Sequence, residues 1–162
     1  MKIRPYVPNS DFDEIKTWVT DEREHALWCA GLLPYPLKKE IFENIILKSK
    51  GNTPFVATTE EGLIIGFFCY SLNPNNREGK FKFIILSPKF RGKGYGRKML
   101  SLALTHAFST GADSAQLNVF SSNTKAKNCY LKAGFTERLI TENAFKFHEE
   151  MWARCNMAIR RH

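Results

Sequence analysis

The order of predicted elements favours an α+β fold around one mixed central sheet. Three observations carry this prediction: helices dominate the first third of the chain, a meander of strands follows, and strands then alternate with helices. The chain has 162 residues, a length that suits one domain with one core. We therefore expect residues 1–162 to form a single domain.

The first third is predicted to hold one strand and three helices. Residues 2–7 have the pattern of a short strand, and apolar residues at helical spacing predict a helix over 12–19, capped by Asn9 or Ser10. A second helix, capped by Thr20 or Asp21, should run to Cys29 and end at Gly31. The sequence Pro34-Tyr35-Pro36 predicts a turn. A third helix over 37–48 would direct the following residues to the core: Ile41, Ile45 and Ile46.

The remainder reads as a strand meander followed by alternating elements. Residues 62–72 form a nearly continuous apolar run, typical of a strand buried on both faces. Residues 115–120 alternate with the period of a strand. The predicted strands lie over 54–58, 62–72, 80–86, 115–120, 135–140 and 150–159. The predicted helices lie over 95–108 and from a cap at Ser122 or Asn123 to Ala133.

Composition excludes several classes of protein. No apolar run is long enough to span a bilayer, and the first residues lack the apolar core of a signal peptide, so we expect a cytoplasmic protein without a membrane partner. The four cysteines are widely spaced, which predicts reduced thiols with neither a disulfide framework nor a metal site. Monomer and homodimer are both compatible with the sequence.

The formal net charge is +8, which suits an anionic partner. The basic residues are dispersed, with local density only over 89–98 and at 160–161, and no aromatic and basic motif of the RNA-binding kind is present. A nucleic acid or a smaller polyanion could account for this charge. The dispersed basic residues favour the smaller polyanion.

Residues 81–100 contain the most informative motif of the chain. An apolar strand leads into a basic loop with glycines at positions 92, 94 and 96, and the loop leads directly into an amphipathic helix. Glycine lets a ligand approach the backbone, and the first amides of a helix have no partner within it. The helix dipole adds positive potential, so the loop is predicted to bind a phosphate-bearing molecule. Neither the Walker pattern nor the dinucleotide fingerprint matches this spacing.

Two segments instead resemble the GNAT superfamily of N-acetyltransferases. The first is Arg91-x-x-Gly94-x-Gly96 after a strand, which resembles the coenzyme A pyrophosphate loop. The second runs from Asn123 to Phe135: an Asn opens a helix, Tyr130 follows seven residues later on the same face, and the helix ends in Gly-Phe. The order of elements along the whole chain is also similar to that of this superfamily.

The resemblance implies a twisted, mostly antiparallel sheet of about seven strands, flanked by helices and splayed to admit coenzyme A. It implies acetyl-CoA as the cofactor and an amine as the acceptor. The residues implied to bind the cofactor are Ile84, Ile85, Leu86, Arg91, Gly92, Lys93, Gly94, Tyr95, Gly96, Arg97 and Asn123. Tyr130 would protonate, or hydrogen-bond to, the departing thiolate.

The general base and the acceptor are less well defined. Some members of the superfamily carry a Glu where this chain has Asn118, and the strand over 80–86 contains no carboxylate, so we expect a water chain to remove the proton. Other candidate bases are Glu22, Glu24, His25, Glu78 and Glu149. By resemblance, the acceptor pocket lies between the first helices and the loop over 141–149. Its candidate residues are Glu22, His25, Trp28, Tyr35, Phe147 and Glu149, and acidic groups there would suit a polyamine, an aminoglycoside, a lysine or a protein N-terminus.

Two alternatives remain open at this point. The missing carboxylates also fit a protein of the same fold that binds coenzyme A without catalysing transfer. A basic nucleic-acid-binding protein without a cofactor is the third possibility. Release of free thiol in the presence of amines would separate the first of these from an enzyme.

Overall fold

A computed structural model describes residues 1–162 and shows a seven-stranded sheet in the order β1-β2-β3-β4-β5-β7-β6. The strands are β1 Lys2–Pro5, β2 Thr53–Thr58, β3 Ile64–Asn73, β4 Glu78–Leu86, β5 Ser114–Phe120, β6 Thr136–Phe147 and β7 Glu150–Arg160. The α-helices are α1 Phe12–Ile15, α2 Glu22–Cys29, α3 Lys39–Lys48, α4 Tyr95–Ser109 and α5 Thr124–Lys132. Short 3₁₀ turns cover Lys16–Trp18 and Pro88–Phe90.

Only β4 and β5 pair in parallel, and the other five neighbouring pairs are antiparallel. The connection between β4 and β5 contains α4, because a parallel pair needs a crossover rather than a hairpin. The predicted fold class, a mixed and mostly antiparallel sheet of seven strands with flanking helices, is therefore confirmed. No helix of the protein is both long enough and apolar enough to cross a membrane.

The sheet separates two apolar layers. The larger core lies beneath α4 and α5 and includes Phe81, Leu104, Leu117 and Tyr130. The second core lies beneath α1, α2 and α3, over β2, β3 and β4. Residues 65–70 of β3 are buried throughout because helices cover both faces of this strand, as its apolar run predicted.

An irregularity of the sheet lies in β4. Phe83 has a positive φ of 55°, and the pairing of β4 with β3 shifts register between Phe67 and Cys69. This β-bulge changes the face to which the following side chains point. Phe81 therefore belongs to the core beneath α4 and α5, whereas Phe83 and Ile85 belong to the second core.

The first helices differ from the predictions in detail. The helix predicted over 12–19 is α1 followed by a 3₁₀ turn, and neither Asn9 nor Ser10 caps it, because Asp11 holds the N-cap position. Asp21 caps α2 as predicted, through a hydrogen bond from the Glu24 amide. In α3 the prediction for Ile41 was wrong: this side chain is exposed, and the neighbouring Phe42 is buried instead.

The loop predicted over residues 141–149 is mostly strand. β6 continues to Phe147 and pairs with β7 as a long hairpin, and only the turn at His148 and Glu149 separates the two strands. The register shifts between Thr141 and Phe145, and Asn143 adopts a positive φ of 50°. Polar residues in the sequence hid this strand because β6 is an edge strand with most of its side chains exposed.

Candidate active site

The glycine loop presents six consecutive backbone N–H groups without an acceptor in the protein, from Gly92 to Arg97. The first backbone donors on either side that find a partner are Arg91, which bonds to the Pro88 carbonyl, and Lys98, which bonds to the Gly94 carbonyl. Gly92 and Gly94 have φ of 72° and 84°, and no atom lies within 4 Å of the position that a Cβ would take at either residue. The loop therefore offers open space lined with donors at a helix N-terminus, which fits a diphosphate.

Arg91 connects this loop to its neighbours. Its Nε donates to the Leu86 carbonyl over 3.1 Å, and its Nη1 donates to Glu24 Oε1 over 2.7 Å. The guanidinium thus ties the loop both to the end of β4 and to α2. Sequence reasoning missed this bridge because Glu24 lies 67 positions away along the chain and carries no local signal.

A gap opens in the sheet directly below the loop. β4 and β5 pair only from Glu78 with Ser114 to Lys80 with Gln116, although both strands continue beyond these positions. The far edge of β5 stays paired with β7 as far as Phe120. The two strands therefore separate like a V whose narrow end lies at Lys80 and Gln116.

The edge of β4 that faces this gap is available for pairing. The Ser87 amide bonds to the Ile65 carbonyl of β3, and strand alternation therefore directs the backbone of Ile85 to β3 as well. The same alternation directs the backbone groups of Ile84 and Leu86 into the gap. An extended chain that runs down from the loop would meet these groups as an additional strand would.

Asn123 and Tyr130 lie on α5, which flanks the gap. The Asn123 side-chain oxygen accepts a hydrogen bond from the Ala126 amide over 3.4 Å, so this residue is the N-cap of α5. α5 packs closely on α4, because a Cβ at Gly96 would lie 3.1 Å from Cys129 Sγ. This contact explains why the third position of the motif is a glycine. Gly96 has a helical backbone, and the absence of a side chain lets α4 and α5 pack closely.

Tyr130 is buried, with 8% of its surface exposed, and its ring lies against Phe135 with centroids 6.3 Å apart. No hydrogen bond joins its hydroxyl to another protein group, in contrast to Tyr6, whose hydroxyl donates to Glu43. Burial raises the pKa of the Tyr130 phenol above its ordinary value. The group is therefore a neutral hydrogen-bond donor without a partner in the protein.

The residues predicted for the acceptor pocket form two separate groups. His25, Trp28 and Tyr35 pack together, with the His25 ring centroid 5.1 Å from that of Tyr35 and 5.9 Å from that of Trp28. His25 Nε2 lies 2.8 Å from the Leu33 carbonyl, while its buried Nδ1 has no partner. His25 and Tyr35 also line a cavity of about 360 Å³ beside the first 3₁₀ turn.

The second group lies at the β6–β7 turn. Glu22 is within 3.3 Å of His148 Nε2, and Phe147 stacks on Trp152 with centroids 5.0 Å apart. Glu149 is exposed in the turn itself. The structure thus brings neither all six residues together nor any of their carboxylates into the gap.

The other candidate bases are also engaged. Glu78 accepts from Arg138 Nη1 over 2.7 Å and from Gln116. The Arg138 guanidinium holds the pKa of the Glu78 carboxyl below its ordinary value. The lowered pKa makes Glu78 a weak proton acceptor, and the Glu24 carboxylate is held by the Arg91 guanidinium.

Comparisons with known proteins agree with this geometry. The profile of the Acetyltransferase (GNAT) family matches residues 12–135. Mycothiol acetyltransferase from Streptomyces griseus is 29% identical over 82 residues, which is 51% of this chain and 27% of that protein. The chain therefore matches about a quarter of the length of this curated relative.

Two solved structures describe the fold similarity. The crystal structure of spermidine N-acetyltransferase from Vibrio cholerae, in complex with CoA and spermine, superposes with a TM-score of 0.81 at 22% identity and covers 98% of this chain and 94% of its own. Nourseothricin acetyltransferase gives a TM-score of 0.61 at 27% identity, covering 68% of this chain and 66% of its own. With the family profile matching most of its length, the chain belongs to the acetyltransferase (GNAT) family of acyltransferase enzymes.

Proposed function

We propose that this chain, acting as a single domain over residues 1–162, transfers an acetyl group from acetyl-CoA to a primary amine. The six unpaired amides from Gly92 to Arg97 are the observation that carries the proposal. A row of unsatisfied donors at a helix N-terminus binds a diphosphate better than it binds most other groups. Coenzyme A is the diphosphate ligand that this family implies.

The predicted cofactor residues have roles in this proposal except Ile85, whose backbone is directed to β3 and away from the gap. The amides of residues 92–97 hold the diphosphate, and Lys93, Arg97 and Arg91 add positive charge around it. The backbone groups of Ile84 and the Leu86 amide pair with the extended arm along the open edge of β4, while the Leu86 carbonyl accepts from Arg91. The arm supplies an acetyl thioester, and the amide side chain of Asn123 contacts it from α5.

The reaction is direct transfer between the two substrates. The nitrogen of a neutral amine forms a bond to the acetyl carbon, the carbon–sulfur bond breaks, and the electron pair of that bond leaves on the sulfur. The amine nitrogen loses one proton through water, and the thiolate gains one proton. The products are therefore an amide and free coenzyme A thiol.

The raised pKa of Tyr130 supports the second of its two predicted roles, hydrogen bonding to the thiolate. A phenol with a pKa above its ordinary value of about 10 is a weaker acid than a thiol such as cysteine, whose pKa is about 8.5, so proton transfer from it to a thiolate is unfavourable. Donation of a hydrogen bond to the developing thiolate requires no such transfer and stabilises its charge. We therefore assign Tyr130 the role of a hydrogen-bond donor, and the proton that the amine nitrogen releases balances the one that the thiolate gains.

The central experiment measures free thiol release from acetyl-CoA across a panel of primary amines. Amine-dependent release is the expected result. Cofactor binding without release from any amine would reject transfer and favour a coenzyme A-binding protein without activity.

Calorimetry with acetyl-CoA and the Gly94→Glu variant tests the loop. Gly94 lies in open space beside the unpaired amides, so a carboxylate there would repel the diphosphate, and we expect affinity to fall at least tenfold. Gly51→Glu is the matched control, because Gly51 also has a positive φ and open surroundings but lies outside the loop. Equal loss of affinity in both variants would contradict the loop assignment, and a loss of the folded state is detected by the thermal midpoint.

A further inference from the structure

A group of three cations lies on the sheet face opposite α4 and α5. Phe81 and Cys155 point into the core beneath those helices. Strand alternation therefore directs their neighbours Lys80, Lys82 and Arg154 to the other face. We call these three residues the basic cluster. Helices α1, α2 and α3 cover β1 to β4 on this face, and Arg154 on β7 stays exposed.

The basic cluster begins at the narrow end of the gap and extends along its open part. Lys80 belongs to the last paired position of β4 and β5, and Lys82 lies two residues further, where the strands have separated. Arg154 pairs with Phe120 on the opposite side of β5. An arm that follows the edge of β4 down from the glycine loop would point its reactive end toward this region.

No anion of the protein neutralises the basic cluster. None of its members forms an ion pair, and the charged groups that act on Lys80 are the other two members. Burial and these like charges lower the pKa of the Lys80 ammonium. Amide side chains lie on the same face of β5 and β7. Among them, Asn156 Nδ2 donates to Gln116 Oε1 over 2.9 Å and to Asn118 Oδ1 over 2.8 Å.

The nearby acidic groups are paired with residues outside the basic cluster, although Glu78 lines the same cavity as Lys80 and Gln116. Glu78 is held by Arg138 over 2.7 Å, Glu24 by Arg91, and Glu22 lies against His148. The site that faces the gap therefore has unpaired positive charge and paired negative charge. Like charges held together without a counterion attract an anion of the ligand.

We infer that the basic cluster binds an anionic group, a carboxylate or a phosphate, carried by the amine acceptor. This inference rests on the proposed function and narrows its substrate class from primary amines in general to amines with an acidic group. It replaces the sequence-based expectation of a cationic acceptor, because Glu24 is paired with Arg91, Glu22 lies against His148, and Glu149 is exposed in the β6–β7 turn.

Four amines of similar length test the inference: pentylamine, 5-aminopentanoate, 4-aminobutylphosphonate and 1,5-diaminopentane. We expect kcat/KM for 5-aminopentanoate or the phosphonate to exceed that for pentylamine by about tenfold or more, as charge-assisted hydrogen bonds do. The faster of the two acids separates carboxylate from phosphate recognition. Equal or faster transfer to pentylamine or 1,5-diaminopentane would overturn the inference.

The Lys82→Gln and Lys80→Gln variants assign the preference to the basic cluster. We expect the advantage of the acidic acceptor to shrink at least fivefold, while kcat/KM for pentylamine changes less than twofold. Lys48→Gln is the matched control, because it removes the same charge from the exposed last turn of α3. A preference that survives in both cluster variants would contradict the assignment.

Binding to the CoA-loaded protein provides a readout that does not depend on turnover. Calorimetry with 5-acetamidopentanoate and its neutral amide is done at saturating CoA, so that the glycine loop is already occupied. We expect the carboxylate to bind at least tenfold more tightly and to lose this advantage in Lys82→Gln. Equal affinity of the two compounds would refute the basic cluster as an anion site, whereas absence of transfer to every amine would refute only the proposed function.

Discussion

Replacing Tyr130 by Phe tests the hydrogen bond to the departing thiolate. The hydroxyl has no partner within the protein, so its removal leaves no protein group unsatisfied, and the buried ring keeps its contact with Phe135. We therefore expect the free energy of unfolding to change by less than about 1 kcal/mol. A hydrogen bond to a charged group contributes about 1.5–3 kcal/mol. Its loss in the transition state alone lowers kcat about 10- to 150-fold.

The assay is thiol release at saturating acetyl-CoA, with kcat and the KM of acetyl-CoA determined separately. We expect kcat to fall and this KM to stay within about threefold, because the bond forms as charge develops on sulfur. The pH profile should show no limb from Tyr130 below pH 10, since its raised pKa keeps the phenol neutral throughout that range.

Tyr6→Phe is the matched control. Its hydroxyl donates to Glu43 over 2.8 Å and lies in the core beneath α1 to α3, so stability should fall while kcat stays unchanged. Unchanged kcat in Tyr130→Phe across several acceptors would refute the reasoning. A parallel loss in CoA affinity and kcat would instead indicate a role for Tyr130 in binding the cofactor.

Two further predictions concern packing and pH. A Cβ at Gly96 would lie 3.1 Å from Cys129 Sγ, so Gly96→Val should lower the free energy of unfolding by about 1–3 kcal/mol. Adding Cys129→Ala should restore part of this loss. Chemical denaturation of the wild type, the two single variants and the double variant measures the coupling, and strictly additive effects would contradict the prediction. Burial raises the pKa of Cys69 to about 12 from 9.0, so the stability that this thiol contributes is complete below pH 9 and is lost between pH 9 and 12. Between pH 8 and pH 10.5 the free energy of unfolding should fall by about 2 kcal/mol more in the wild type than in Cys69→Ala. Urea unfolding of both proteins at both pH values measures this difference, and equal losses would reject the prediction.

The sequence alone determined the parts of the site that depend on local backbone. Glycines at 92 and 94 are followed by a helix N-terminus, and these features by themselves create donors without partners, whatever the rest of the fold does. The cap at Asn123 and its phase with Tyr130 are likewise local, because helix geometry relates residues seven positions apart. The fold class could also be predicted from the sequence, because the helices and strands have local sequence patterns and their order indicates the class.

Tertiary structure decided which charges remain free. Glu24 and Arg91 are 67 positions apart, and Glu78 and Arg138 are 60 positions apart, so no sequence pattern shows that these carboxylates are paired. The same holds for the basic cluster, which joins β4 to β7 across β5. Its sequence signal was the alternation Lys80-Phe81-Lys82, which places two lysines opposite a core phenylalanine, but only the fold shows that no acid pairs with them.

Packing also chose between neighbouring apolar residues. Ile41 and Phe42 are equally suited to a core by composition, and a shift of one residue in helix phase exchanges them, so contact with Phe67 and Tyr6 decides for Phe42. The gap between β4 and β5 was expected from family resemblance, but its narrow end depends on the position where pairing stops. Local chemistry thus determined what the loop can bind, whereas long-range pairing determined the charge presented to the acceptor, because electrostatic partners are set by distance in space and not along the chain.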